Sequence, residues 1–471
     1  MSQQPEVKPS LSLLDATMIV SGSMIGSGIF IVSADIARSL GSSGFLLLTW
    51  VLSAVLTTIA ALSYGELAGM MPRAGGQYVY LREAYNPLTG FLFGWTQFTV
   101  IQTGAIAAVA VAFAKFTAVF FPFFSPDNIL INLGFLKISA AQMLAIASLA
   151  VLTMWHTRGI EGGKQVQTIF TTAKLVSLFG LILLGFFIGF KSEIWSQNWQ
   201  NAWSPGVLTE GGGFTALTGI GIATALGAAM VGSLFSSDAW NNVTFIAHEI
   251  KNPKHNIPLS LFFGTLIVGL IYVITNVVYL GVLPLQDIAF AANDRVGTAA
   301  AGAIFGGSAV AVMAGLIMLS TFGCNNGLTL SGARLCYAMA KDGLFLRSAA
   351  RLNKNGVPAW ALYVQFIWAS VLCLSGTYGA LLDYTIFAAL LFYVLTVAGI
   401  FRLRITRPEA ERPYKAFGYP LIPALYILCA SAIALILLVY KSQNTLPGLA
   451  IVLLGIPIYY WQQNRLKQTP E

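Results

Sequence analysis

The chain has 471 residues, of which 56% are hydrophobic and only 9% charged. A soluble domain is roughly a quarter charged, so this composition excludes an ordinary soluble globular protein. The net charge of +8 does not point to nucleic acid, because no long basic run occurs and the Lys and Arg residues fall in short polar stretches between apolar runs.

The opening segment, MSQQPEVKPS, is polar and short and has no cleavable signal pattern. Twelve apolar segments follow, at about 11–40, 44–71, 88–121, 139–156, 164–190, 214–248, 258–283, 298–340, 358–376, 380–403, 420–440 and 446–463. Most reach the roughly 18 to 20 residues that cross a hydrocarbon core, and the alternation of a β-barrel is absent. The fold class is therefore an all-α membrane protein with twelve transmembrane helices, read as one transporter-sized domain over 1–471. An even number of spans puts both ends on one face. With the termini cytoplasmic, the loops carrying Arg73, Arg82, Arg158, Lys164, Lys251, Lys254, Arg347, Arg351 and Arg402 to Arg407 lie inside, which fits the positive-inside bias. The longest outer loop, KSEIWSQNWQNAWSP, carries three tryptophans suited to a membrane–water boundary.

The first, third, sixth and eighth segments are longer than one crossing needs. Breaks are expected in two of them. In the first, SGSMIGSGIF (Ser21 to Phe30) crowds three glycines and three serines into ten positions, although glycine weakens a helix by about 1 kcal/mol relative to alanine. In the sixth, GSLFSSDAWNN (Gly232 to Asn242) places Ser236, Ser237, Asp238 and Asn241 at depth. A carboxylate there must face protein, water or ligand rather than lipid. Small residues also let helices pack closely, but two such sites in the first and sixth spans match five helices repeated with inverted topology. The repeats would cover about 11–190 and 214–403, with two added helices at about 420–463.

Interrupted helices at matching places point to a transport site. Bare N–H groups around Gly26, Ser27 and Gly28, with the positive end of the following half-helix, suit a carboxylate. Freed carbonyls around Phe235 to Asp238 suit an ammonium. Together they describe the common part of an amino acid.

Other functions fit poorly. The cysteines Cys324, Cys336, Cys373 and Cys429 all lie in apolar segments without metal or redox spacing. His156, His248 and His255 lie near predicted cytoplasmic ends. An enzyme would need paired carboxylates, a nucleophile with its base, or metal ligands. A channel would need a filter motif or charged ring. No cofactor and no metal site is expected.

Longer motifs carry a resemblance. GSMIGSGIF in the first span, MPRAGGQYVYLREAYNP after the second, AWNNVTFIAHEIKNPKHNIPLS at the end of the sixth and RPEAERPYK before the eleventh together resemble the amino acid–polyamine–organocation superfamily. Within it, the chain looks most like bacterial relatives of the L-type amino acid transporters. The resemblance implies a LeuT-like fold, with spans 1, 2, 6 and 7 as a bundle against a scaffold of 3, 4, 8 and 9. It implies a substrate site over Met24, Ile25, Gly26, Ser27, Gly28, Phe235, Ser236, Asp238 and Asn241. The Ser27 and Gly28 amides would hold the carboxylate, and main-chain oxygens of Met24, Phe235 and Asp238 the amine. Phe235 would be the outer gate and Asn241 a helix-end link. Lys174, in TIFTTAKLVSLF, matches a lysine that stands where sodium-coupled relatives hold a cation. It lies roughly 15 Å deeper along a helix than Lys164, which makes snorkelling to the interface hard.

These points imply sodium-independent movement of L-amino acids across the cytoplasmic membrane by alternating access, as exchange. Proton- or sodium-coupled symport is the alternative. The expected partners are a free amino acid and the lipid bilayer, with no nucleic acid. Two departures matter. FPFFSPDNILINLGFLK lacks the cysteine that ties animal L-type transporters to a heavy chain, so no disulfide-linked partner is expected. Asp238 stands where many relatives have glycine, and is either a recognition group for cationic substrates or a cap for the second half-helix. Glu66 with Arg73 reads as an inner-gate or loop-anchoring pair, Lys115 as reaching the outer surface, and Asp383 as interfacial.

Overall fold

The computed structural model describes residues 9–72, 75–134, 137–159, 163–341, 343, 345 and 347–468. The apolar segments form helices because a bilayer offers no partner for a free peptide group, so each span must satisfy its own backbone. In chain order they are α1 (Leu13–Met24), α2 (Ser33–Leu40), α3 (Ser43–Met70), α4 (Gln77–Ala84), α5 (Pro87–Thr96), α6 (Thr103–Thr117), α7 (Ala140–Thr157), α8 (Gly163–Leu184), α9 (Ser192–Trp199) and α10 (Ile220–Ser236). The second half holds α11 (Pro253–Val282), α12 (Leu285–Ala289), α13 (Val296–Phe305), α14 (Gly307–Lys341), α15 (Ala359–Ser375), α16 (Tyr378–Thr406), α17 (Leu421–Tyr440) and α18 (Ser442–Gln468). Two short antiparallel hairpins, β1 (Ile129–Asn132) with β2 (Lys137–Ser139) and β3 (Gly206–Leu208) with β4 (Phe214–Ala216), lie in connecting loops.

Nine helices among the described residues are long and apolar enough to cross a membrane, and a tenth crossing comes from Ile220–Ser236 joined to Trp240–Ala247 across a 44° bend. The other two expected spans are shorter. The first is divided between α1 and α2, and Ala359–Ser375 has 17 residues. The eighth span departs from expectation. It is not one helix over 298–340 but α13 followed by α14, parted at Gly306, whose φ of 85° belongs to the left-handed region. Glycine enters that region without steric penalty. The third span runs over Pro87–Thr117 with a π-helical stretch at Gln97–Gln102.

The packing sorts the helices into two groups. In one, α1 and α3 lie along α11, and α10 packs against α2 and α3. In the other, α6, α7, α14 and α15 pack against each other. Helix α8 leans on α14, while α16 touches α3, α6, α17 and α18. Large apolar side chains such as Phe187, Val312 and Leu428 are exposed on the outside of the bundle, as a lipid-facing surface requires.

Ion pairs fasten the two faces. On the N-terminal face, Glu66 of α3 is fully buried and accepts from Arg404 Nε at 2.9 Å, from Arg404 NH2 at 2.6 Å and from the Ala416 N–H at 2.8 Å. Arg412 Nε stands 3.3 Å from the same carboxylate. The expected partner, Arg73, lies outside the described residues. Glu66 thus anchors the segment after α16. On the opposite face, Lys115 does not reach the surface. It is buried and paired with Asp294 at 3.1 Å. Asp383 is buried as well and is held by Lys441 and Asn444.

Removing one partner of a buried ion pair leaves the other charges uncompensated, at about 3 kcal/mol or more. Glu66→Gln is therefore expected to lower the unfolding temperature of the detergent-purified protein. An unchanged melting temperature with impaired transport would instead assign Glu66 to the inner gate.

Candidate functional site

The first break begins where α1 runs out at Met24. Ile25 is extended (φ −69°, ψ 103°), and a 3-10 turn over Gly28–Phe30 leads into α2. The N–H groups of Gly26, Ser27 and Gly28 have no main-chain hydrogen-bond partner among the described residues. The Ser27 hydroxyl is buried and makes no hydrogen bond of normal length among the described residues, and the Tyr272 and Tyr378 hydroxyls lie near Gly26 and Ser27. Main-chain donors without main-chain partners in a buried segment are the condition that favours an anionic ligand group.

The second break follows α10. Asp238 N donates to the Phe235 carbonyl at 3.1 Å, and Ala239 then adopts a left-handed backbone with φ of 65°. A non-glycine residue pays roughly 1–2 kcal/mol for that conformation, so the chain holds the break against a local preference. A 3-10 segment, Trp240–Glu249, continues with Ala239 at its start and no side-chain cap. The Asp238 carboxylate lies near the Ala239 N–H at the start of this segment. Its Oδ1 accepts from the Tyr393 hydroxyl of α16 at 2.5 Å.

The two breaks meet. A Cβ on Gly28 would lie 2.1 Å from Ser236 Oγ, so only glycine permits this approach of the half-helices. Tyr272 of α11 then joins them. Its hydroxyl lies 3.0 Å from the main-chain oxygen of Met24 and 3.0 Å from that of Ser236. The Met24 and Phe235 oxygens assigned to the amine each already have one protein donor, and a carbonyl has a second lone pair for a ligand.

Lys174 completes the first break. It is buried, and its Nζ donates to the Gly22 carbonyl at 3.0 Å. That carbonyl lies in the last turn of α1, where the N–H four residues on, at Gly26, does not return to it. The ammonium therefore sits at the negative end of the half-helix dipole, where a cation is stabilised. Cys324 Sγ is 4.0 Å from the Cβ position of Gly26.

The remaining sequence-derived residues are placed as follows. Ile25 is buried, Ser236 Oγ returns to the Gly232 carbonyl at 2.8 Å, and Phe235 is half-buried with its ring edge-on to Tyr378 at 6.5 Å. Asn241 lines the 40 Å³ cavity with Asp238 and donates to Gln77 Oε1 at 3.1 Å, and Gln77 donates on to Thr396 at 3.0 Å. Asn241 thus serves as a tie to α4 and α16, in line with a helix-end link. Tyr272, Tyr393, Gln77 and Tyr378 were missed. Tyr272 and Tyr393 are aromatic residues inside apolar runs, Gln77 opens the short α4 after the second span and Tyr378 opens α16, weak signals without knowledge of which faces meet.

Above the breaks, on the face carrying the loop between α6 and α7, lies a cavity of about 660 Å³, within the range of small-molecule sites. Two far smaller cavities, of about 20 and 40 Å³, flank Asp238 in the interior.

The amino acid permease family model matches residues 11–460. The chain belongs to the amino acid permease family. This permease is 29% identical over 471 residues to the human b(0,+)-type amino acid transporter 1, covering 98% of this chain and 89% of the relative. It is 29% identical to the Asc-type amino acid transporter 1 of Mus musculus, covering 98% and 82% of the two chains. It is 30% identical to the large neutral amino acids transporter small subunit 2 of Rattus norvegicus, covering 97% and 82%.

Gly28→Val is expected to abolish amino acid binding, because the added side chain meets Ser236 and separates the half-helices. Retained affinity in an equilibrium binding assay would count against the site. Tyr272→Phe removes the hydroxyl from two buried carbonyls and is expected to destabilise the protein by about 1–3 kcal/mol, read as a lower melting temperature.

Proposed function

We propose that this permease moves L-amino acids across the cytoplasmic membrane by sodium-independent exchange. The observation that carries the reading is the Lys174 ammonium on the Gly22 carbonyl at 3.0 Å. A covalently fixed cation at the end of α1 supplies the charge that a bound Na⁺ would otherwise supply, so no ion need enter with the substrate. The zwitterion's carboxylate meets the N–H groups of Ser27 and Gly28. Its ammonium meets the second lone pairs of main-chain oxygens at Met24 and Phe235 and the oxygen of Asp238. Phe235 closes over it.

Alternating access then follows from a LeuT-like arrangement, with α1, α2, α3, α10 and α11 moving against the group of α6, α7, α14 and α15. The inverted repeats are placed at about 11–190 and 214–403. Both termini are cytoplasmic, so the large cavity opens to the outside. No disulfide-linked heavy chain is required, since the segment 121–137 carries no cysteine.

Substrates with a cationic side chain form a second reading. Asp238 has Tyr393 as its hydrogen-bond donor, and no cation pairs with it among the described residues. A buried carboxylate without a counter-charge favours a cationic ligand.

Proteoliposomes loaded with unlabelled amino acid test the coupling. Uptake of label is expected to require internal substrate and to ignore a Na⁺ gradient. Uptake driven by Na⁺ or by a proton gradient into empty vesicles would replace exchange with symport. Lys174→Ala is expected to reduce flux at least about tenfold, equivalent to roughly 1.4 kcal/mol, with a smaller effect on melting temperature. Unchanged flux would refute its role. Asp238→Gly is expected to shift a competition panel of the twenty amino acids away from lysine and arginine, and an unshifted panel would leave Asp238 as a structural partner of Tyr393.

A further inference from the structure

The floor of the 660 Å³ cavity includes Ile31, Val32, Gly232 and Tyr378. Phe235, one turn beyond Gly232 on α10, does not line it and lies beneath Tyr378. The Tyr378 ring is buried between two neighbours. Lys115 Nζ is 5.4 Å from its centroid, and Phe235 packs edge-on at 6.5 Å with an interplanar angle of 82°. Among the described residues the Tyr378 hydroxyl makes no hydrogen bond of normal length, although the Ser27 side chain lies near it, and the close contacts of this residue are made by its ring.

Both neighbours are placed for different tasks. Tyr378 opens α16, which Thr377 caps through the Ala380 N–H at 3.4 Å. It stands on a continuous 29-residue helix. Phe235 stands in the last turn of α10, directly before the break. Lys115 is held in turn. Its Nζ lies 3.1 Å from Asp294 Oδ2, Asp294 Oδ1 accepts from Arg38 NH1 at 2.7 Å, and Arg295 NH1 donates to the Lys115 carbonyl at 2.9 Å. The cation over the ring is thus fixed by groups from α2, α6 and the turn before α13.

We propose that Tyr378 is the fixed second leaf of the outer gate, against which Phe235 closes, and that Lys115 is the positioning residue that holds this leaf by its charge over the ring. A single half-buried phenylalanine between a wide cavity and the breaks excludes water poorly. Two aromatic surfaces in contact exclude it well, and a cation over the outer ring restrains its rotation. The proposal rests on the reading of the two breaks as the amino acid site.

The test uses the full chain with Cys336, Cys373 and Cys429 changed to alanine. Cys324, beside Gly26, remains as a reporter beneath the gate. The rate of its modification by a water-soluble methanethiosulfonate is measured by mass spectrometry in nanodiscs, with L-leucine, L-serine or L-arginine present or absent. In this parent, at least one of the three is expected to slow modification about tenfold or more, as a mostly closed population requires. Tyr378→Ala and Tyr378→Leu are expected to lose most of that protection, and Tyr378→Phe to keep it. Lys115→Met is expected to weaken protection about twofold to fivefold, and Lys115→Arg to restore it, because a guanidinium also stacks on a ring face. Melting temperatures are recorded beside each rate. Equal loss of stability in Lys115→Met and Lys115→Arg with protection intact in both would leave Lys115 a structural ion-pair partner and overturn its positioning role. Parent-level protection in Tyr378→Ala and Tyr378→Leu would overturn the gate leaf. Absence of protection in the parent with all three amino acids would instead remove the site reading, and the gate with it.

Discussion

A bilayer cannot hydrate a peptide group, and everything specific about this protein follows from two places where helices nevertheless stop at depth. Each stop strands main-chain donors or acceptors, and the fold must satisfy them with protein or leave them for a ligand. Both solutions are used. The Gly22 carbonyl takes the Lys174 ammonium, and the Met24 and Ser236 carbonyls share the Tyr272 hydroxyl. The N–H groups of Gly26, Ser27 and Gly28 are left without main-chain partners among the described residues. At the first break the Gly22 and Met24 carbonyls thus have protein donors, whereas three N–H groups have no main-chain partner among the described residues.

The side chains that perform this closure come from outside the interrupted spans. Lys174 is on α8, Tyr272 on α11, Tyr393 and Thr396 on α16, and Gln77 on α4. An interrupted helix therefore holds its shape only while its neighbours stay in place, and a shift of α8 or α11 alters which peptide groups are exposed. This couples site geometry to helix packing without a separate hinge. The left-handed Ala239 shows the same dependence. Its local conformation is unfavourable for a non-glycine residue, and Asp238 on one side, bonded to Tyr393, and Asn241 on the other, bonded to Gln77, pin the backbone through it.

Charge distribution follows the same logic. Ion pairs concentrate at the two ends of the bundle, Glu66 with Arg404 and Arg412 at one and Asp294 with Arg38 and Lys115 at the other. Between them, Lys174 and Asp238 are the charged side chains beside the breaks, and neither has an oppositely charged partner among the described residues. The buried ion pairs thus lie toward the edges, whereas Lys174 and Asp238 lie beside the breaks. Membership of the amino acid permease family, matched over residues 11–460, agrees with that arrangement.

Much of this was legible in the sequence. Apolar length determined the helical class, because the bilayer admits few alternatives. Glycine and serine crowding at Ser21 to Phe30, and Asp238 within an apolar run, located both interruptions. Lys174 stood out because a charge at that depth demands a reason. What only the tertiary structure decided was which side chains from distant spans meet. The division of the eighth span at Gly306, the burial of Lys115 against Asp294, the hold of Arg404 on Glu66, the turning of Asn241 toward Gln77 and the bond from Tyr393 to Asp238 all depend on helix rotation. Along a uniformly apolar helix every face reads alike, so rotation is set by packing between helices and leaves no periodic trace in the chain.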